Sequence, residues 1–323
     1  MILKNSVNLI KAKIFRSKIP LIVGWAITYR CNRQCQYCSL NKKTPGELQT
    51  QQVFAVIDEM KSMGTSIISF TGGEPLMRDD MGAIIEYAYA QGIKVKLNTN
   101  GSLIHKNIQQ LKGIHVLNIS FDGPEKIHDA IRGKGSFNEV MESARIAVAH
   151  KIRLSFTTVL SNQNLNGIDF VLQKAKEYNS PVNFQPVTPH ILGSSRPNPL
   201  MPEEHEYRAV IKKLMLLRRS SNLIANSSIG LAHLLNWPRG VRMNCASGWI
   251  SCRIEPNGDV IHCSRITKPN SLNCVTHGFK AAFLNLDTHV CDTCMCGSRV
   301  ELNLLWSGNV KYIYERILHG SGF

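Results

Sequence analysis

The chain predicts an α/β fold on a parallel sheet, followed by a small cysteine-rich α+β module. Three observations carry this. Short apolar runs at 21–28, 67–71, 94–99, 116–121, 153–160 and 182–185 alternate with segments of helical spacing, an order that implies parallel strands joined by crossover helices. Glycine, asparagine and cysteine motifs follow directly after strands, where functional residues of such sheets collect whether the sheet is open or closed. Seven of the ten cysteines fall between 245 and 296. A length of 323 residues, 43% of them hydrophobic, suffices for one large domain and a lesser one. The divisions expected are a basic helix (1–19), the α/β core (20–200), a helical connection (201–244) and the cysteine-rich module (245–323).

Taken in order, residues 1–18 read as a helix whose apolar stripe is Leu3, Val7, Ile10 and Ile14, with Lys4, Lys11 and Lys18 beside it. Such a helix either packs on its own domain, the preferred reading, or rests on anionic lipid as a peripheral membrane contact. The apolar run 19–27 follows basic residues as a signal peptide's core would. No small-x-small cleavage site follows it, and it is too short to span a bilayer. It reads as a buried first strand, and the protein as cytoplasmic. Val53, Phe54, Ile57 and Met60 recur at helical spacing, closed by Gly64 at the C′ position. Further helices are expected over 79–91, ended by Gly92, and over 137–150 and 166–178. Beyond Pro186, four prolines and Gly193-Ser194-Ser195 mark a linker. A helix over 203–219 follows, and another over 310–318 closes the chain.

Cys31, Cys35 and Cys38 stand within eight residues as C-x3-C-x2-C, directly after the first strand. A [4Fe–4S] cube takes one thiolate per iron, so three would leave one iron open. Structural zinc is the alternative, and it wants four protein ligands. The clustering of cysteines reads as metal ligation in a reducing compartment rather than as a disulfide framework.

This spacing, with Tyr37 just before the last cysteine, resembles the signature of the radical S-adenosylmethionine (SAM) superfamily. Thr71-Gly72-Gly73-Glu74-Pro75 after the second strand resembles that family's GGEP motif. Ser120-Phe121-Asp122-Gly123, with His128, Asp129 and Arg132-Gly133 downstream, resembles its S-[FLI]-D-G…H-D-x-x-R-G segment. The resemblance spans residues 20–186 and implies a partial (β/α)6 TIM-type barrel. It implies that SAM binds the open iron and is reductively cleaved to methionine and a 5′-deoxyadenosyl radical, which takes hydrogen from the substrate. A one-electron donor such as a flavodoxin or ferredoxin is implied with it. Carried over as cofactor contacts are Tyr37, Gly72, Gly73, Glu74 and Pro75, the last four about the SAM amino group. Thr99 and Asn100 join them from the third strand's end, and Ser120 and Arg132 from the ribose and carboxylate side. Asp122 is left as structural.

In the last quarter, Cys245-x12-Gly258-x4-Cys263 resembles the opening of a SPASM or twitch module, which houses auxiliary Fe–S clusters. Residues 254–263 read as a β-hairpin with an Asn-Gly turn. A full SPASM pattern needs more cysteines after Cys294 than the single Cys296 present. One auxiliary [4Fe–4S] cluster on Cys245, Cys263, Cys291 and Cys294 is the expectation, with Cys252 and Cys296 as spares and a zinc ribbon as the alternative.

The net charge of +15 is uneven. No acid precedes Glu47 and none lies between 207 and 254, where Arg208, Lys212, Lys213, Arg218, Arg219, Arg239, Arg242 and Arg253 stand. An anionic small-molecule or lipid-linked substrate is therefore preferred over a peptide. Peptide-modifying relatives often carry an N-terminal recognition domain, for which so early a Cys31 leaves no room. A non-catalytic Fe–S electron carrier is disfavoured because it needs no SAM site. Nucleic acid is disfavoured because no RNA-binding module accompanies the charge.

Overall fold

The computed structural model describes residues 2–264, 271–288 and 291–318. Eight strands form one sheet: β1 (Ile22–Thr28), β2 (Ile67–Gly72), β3 (Lys94–Thr99), β4 (Ile114–Ser120), β5 (Leu154–Leu160), β6 (Val182–Pro186), β7 (Ser251–Ile254) and β8 (Val260–Ile261). Their spatial order is β6-β5-β4-β3-β2-β1-β7-β8. Pairing is parallel throughout except between β7 and β8. Among the described residues twelve α-helices accompany them: α1 (Ile2–Ile14), α2 (Thr50–Ser62), α3 (Met81–Ala90), α4 (Ile104–Asn107), α5 (Glu125–Arg132), α6 (Ser136–Ala149), α7 (Ile168–Glu177), α8 (Glu204–Arg218), α9 (Ser228–Leu234), α10 (Phe279–Leu284), α11 (Gly297–Ser307) and α12 (Val310–Leu318). The first six strands in sequential order, joined by helices, make the partial barrel that the sequence implies.

Strand alternation sorts the two faces of this sheet. Val23, Trp25 and Ile27 of β1, Ile68 and Phe70 of β2, and Val95 and Leu97 of β3 enter the main core, with Val53, Ile57 and Met60 of α2 and Ile84 and Ala88 of α3. The intervening residues face inward: Gly24 and Ala26 on β1, but polar Ser69 on β2 and Lys96 and Asn98 on β3. Asn98 donates to Ser69 Oγ (2.9 Å), and Asn118 donates to Asn98 Oδ1 (2.9 Å) and Thr157 Oγ1 (2.8 Å), a ladder across four strands. Every strand expected from the sequence is present within a residue or two of its expected ends. The expected hairpin is present too, but it extends the barrel sheet: β7 pairs with β1, Ile254 beside Trp25.

Helices α4, α5, α9, α10 and α11 were not singled out in the sequence. Helices α4, α9 and α10 have seven residues or fewer, and the apolar residues of α5 and α11 are interrupted by charged and polar ones, so periodicity alone does not mark them. The stripe expected on α1 is corrected. Leu9 and fully buried Ala12 face inward, against Leu302, Trp249 and Trp306. Ile10 and Ile14 stand exposed. Small Ala12 lets the backbone approach α11 in a way that larger Ile14 would not. The side chains of Leu3, Lys4 and Val7 lie outside the described residues. No helix among the described residues is long and apolar enough to cross a membrane.

Candidate active site

The loop after β1 carries Cys31, Cys35 and Cys38, all free and half-buried. It is pinned from two sides. Gln36 N–H donates to Ile131 O of α5 (3.1 Å) and its side chain to Ala130 O (2.7 Å). On the other side Leu192 N–H donates to Tyr37 O, and Ser39 N–H to Leu192 O, both at 2.9 Å. Burial pushes the Cys31 thiol up to about 11 and raises Cys35 and Cys38, with the other thiols adding to the effect at Cys31 and Cys38. Such thiols hold their protons at neutral pH until a metal displaces them.

The Gly72-Gly73 turn is clamped to the backbone entering that loop. Gly73 N–H donates to Thr28 O (2.8 Å) and Glu74 N–H to Arg30 O (2.9 Å). A Cβ on Gly72, whose φ is +129°, would overlap Thr28 O, and one on Gly73 would overlap Arg30 O. Glu74 is fully buried. Its carboxylate accepts from Thr99 Oγ1 (2.8 Å), Asn100 N–H (2.8 Å) and Leu76 N–H (3.1 Å). It therefore ties β2 to β3 and is turned into the protein, with buried Pro75 opening the 3-10 turn that follows. Burial nonetheless pushes its pKa to about 7, against those hydrogen bonds.

Asn100 faces the cysteine loop: its Nδ2 donates to Asn32 Oδ1 (2.9 Å) and lies 4.0 Å from Cys31 Sγ. Thr99 is buried beneath it. On the opposite side Arg132, also buried, donates from Nε to Asp122 Oδ2 (2.6 Å). Its Nη1 lies 4.0 Å from Cys35 Sγ, and its guanidinium stands 5.5 Å from the centre of the Tyr37 ring. Asp122 also accepts from Val159 N–H (2.9 Å), so it fastens β4 to β5. Ser120, at the end of β4, is half-exposed on the inner face. The structure thus gathers Tyr37, Asn100 and Arg132 about the three thiols, with donors aimed at two of the sulfurs. Three free thiols edged by amide and guanidinium donors fit a thiolate-held cluster whose sulfurs accept hydrogen bonds.

The second group also converges. Cys291 hydrogen-bonds the Cys245 thiol; burial, then the Cys245 and Cys263 charges, push it to about 11. Burial, then Cys296, push Cys294 to about 12. Five half-buried thiols thus share one neighbourhood. Cys252 does not join them: it lies in the main core with Cys274. Among the described residues no three Cys, His, Asp or Glu side chains, those of either thiol group included, stand close enough together to hold a single metal ion.

Sequence reasoning missed Tyr29, Arg253 and Glu255. Tyr29 OH and Arg253 Nε both donate to the Glu255 carboxylate, the latter at 2.5 Å, between the two cysteine groups. Position after a strand is the signal that would have found Tyr29, but nothing in the sequence sets β7 beside β1.

Fold and site together define an iron–sulfur enzyme of the SAM-cleaving kind. The Radical SAM superfamily model matches residues 25–175. Mycofactocin maturase MftC of Mycobacterium ulcerans is 30% identical over 252 residues, 76% of this chain and 68% of that protein. MftC of Mycolicibacterium smegmatis is 29% identical over 254 residues, and the chain spans 64% of its length. AdoMet-dependent heme synthase of Oleidesulfovibrio alaskensis is 36% identical, but over 45% of this chain. Among solved structures, Streptococcus suis SuiB bound to S-adenosylmethionine superposes with a TM-score of 0.69 at 16% identity, covering 88% of this chain and 69% of SuiB. SuiB has also been solved bound to its precursor peptide SuiA. The chain belongs to the radical SAM superfamily, with a [4Fe–4S] cluster and SAM as its cofactors and a SPASM- or twitch-type module behind the core.

Proposed function

We propose that this enzyme modifies a peptide, as a maturase with an auxiliary cluster. The observation that carries the reading is the extent of the MftC match. It takes in 76% of the chain and so runs past the core into the helical connection and beyond. The heme synthase match stops at 45%. Half of the eight basic residues between 207 and 254 are paired with acids of the chain, two of them at the surface and two in the interior. Arg208 pairs with Glu204, Lys213 with Asp169, Arg218 with Glu315 and Arg253 with Glu255.

In this reading Cys31, Cys35 and Cys38 hold the SAM-binding cluster, and four of Cys245, Cys263, Cys291, Cys294 and Cys296 hold the auxiliary one. When bound, the first cluster and SAM supply hydrogen-atom abstraction from carbon. The chain's own residues position and insulate. Arg132, held by Asp122, presents a fixed cation beside Cys35 and Tyr37, suited to a carboxylate. Asn100 and Ser120 offer polar groups at neighbouring strand ends, and the clamped Gly72-Gly73 turn offers backbone without side chains. Reduction is assigned to a flavodoxin- or ferredoxin-type donor, and free cysteines throughout suit a reducing, cytoplasmic setting.

The test is anaerobic: reconstituted protein, SAM and reductant, with candidate precursor peptides deuterated at single residues. Peptide-dependent 5′-deoxyadenosine carrying the label, with a matching mass change in the peptide, is the expected result. Turnover stimulated by a carboxylated small molecule and by no peptide would overturn the peptide reading.

A further inference from the structure

Apolar residues left on the surface are unevenly spread. Among the described residues, seven of the thirteen exposed large hydrophobic side chains lie on α1, directly after it, or on α12. Val310, Tyr314 and Ile317 of α12 are 78%, 64% and 73% exposed. Their spacing puts them on one face, while Tyr312 is buried on the other. At the end of α1, Ile10, Ile14 and Phe15 stand out while Leu9 and Ala12 face in. The two helices adjoin: Lys13 Nζ occupies the place where a side chain on Gly308 would begin, two residues before Val310.

The charges around these stripes have one sign. Lys11, Lys13, Arg16 and Lys311 are exposed. No acid occurs before Glu47. Glu315, the one acid of α12, turns inward, accepting from Ser228 N–H (2.9 Å) and pairing with Arg218 (3.2 Å). A second copy of the chain would therefore meet this face with lysines against lysines. An anionic lipid surface satisfies both features, since apolar side chains enter the acyl boundary while lysines and arginines stay among the headgroups. Phe15 and Tyr314 are side chains suited to that boundary.

We propose that α1 and α12 together form a docking surface for anionic phospholipid membranes. It is independent of which substrate the barrel takes.

The test uses the full chain with its clusters reconstituted, sedimented with phosphatidylcholine vesicles with or without phosphatidylglycerol. Binding is expected to the anionic vesicles at low ionic strength and to fall as salt is added. Ile14→Asp with Ile317→Asp should weaken it by at least about tenfold. Both positions already face solvent, so iron content and melting temperature should hold. Wild-type protein left in the supernatant with anionic vesicles at low salt overturns the proposal. So does a lipid-free dimer that the same two substitutions dissociate, because the face then belongs to a second copy.

Discussion

Two buried groups, Glu74 just after β2 and His128 on α5, titrate in opposite senses. Glu74 is held up at about 7 by burial, above its ordinary 4.5, so the folded chain keeps a proton that the unfolded chain has lost. Its contribution to stability is present below pH 4.5 and falls as pH rises toward 7. His128 is held down at about 4 by burial and then by Arg132, below its ordinary 6.5. Its contribution is present above pH 6.5 and falls as pH drops toward 4. The two slopes nearly cancel. His128→Gln should expose the Glu74 slope in urea unfolding, with stability declining by up to about 3 kcal/mol from pH 4.5 to 7. A variant whose pH profile parallels the wild type's would refute this. Arg132→Leu leaves Asp122 buried without its cation and should cost about 3–5 kcal/mol; adding Asp122→Asn should recover part of that, measured as a double-mutant cycle.

The turn after β2 was legible as a motif, but its mechanics were not. Gly72 and Gly73 are required because the backbone leaving β1 passes where their side chains would lie. Gly73→Ala should therefore push the Cys31 loop aside. Reconstituted protein should then carry less cluster iron, read by iron and sulfide assay, than an Ala substitution at exposed Gln34. Glu74 shows what the motif alone does not reveal. Three protein donors take three of the roughly four acceptor positions on its carboxylate, an arrangement set by the approach of β3 and the 3-10 turn. The α1 stripe shows how context intervenes: periodicity pointed to the face of Ile10 and Ile14, whereas packing beside α11 turns Leu9 and Ala12 inward.

At the scale of the whole molecule, the cysteine-rich quarter and the barrel are one sheet. Ending the chain at residue 244 would bare the edge of β1 that β7 covers and should yield aggregated protein rather than a free core. Replacing Cys245, Cys263 and Cys291 together by Ala, by contrast, leaves that pairing intact. It should reduce iron from about eight to about four per chain while SAM binding persists; loss of both clusters together would contradict the assignment. Local chemistry in the sequence determined the strand–helix alternation, the three-thiol loop and the motifs at strand ends, because spacing and residue type act over a few positions. Only the tertiary structure decided that β7 lies against β1, that Cys252 leaves the thiol group for the core, and that Lys213 and Arg218 of the basic run pair with Asp169 and Glu315. Those outcomes depend on contacts between segments far apart in sequence, which no local pattern encodes.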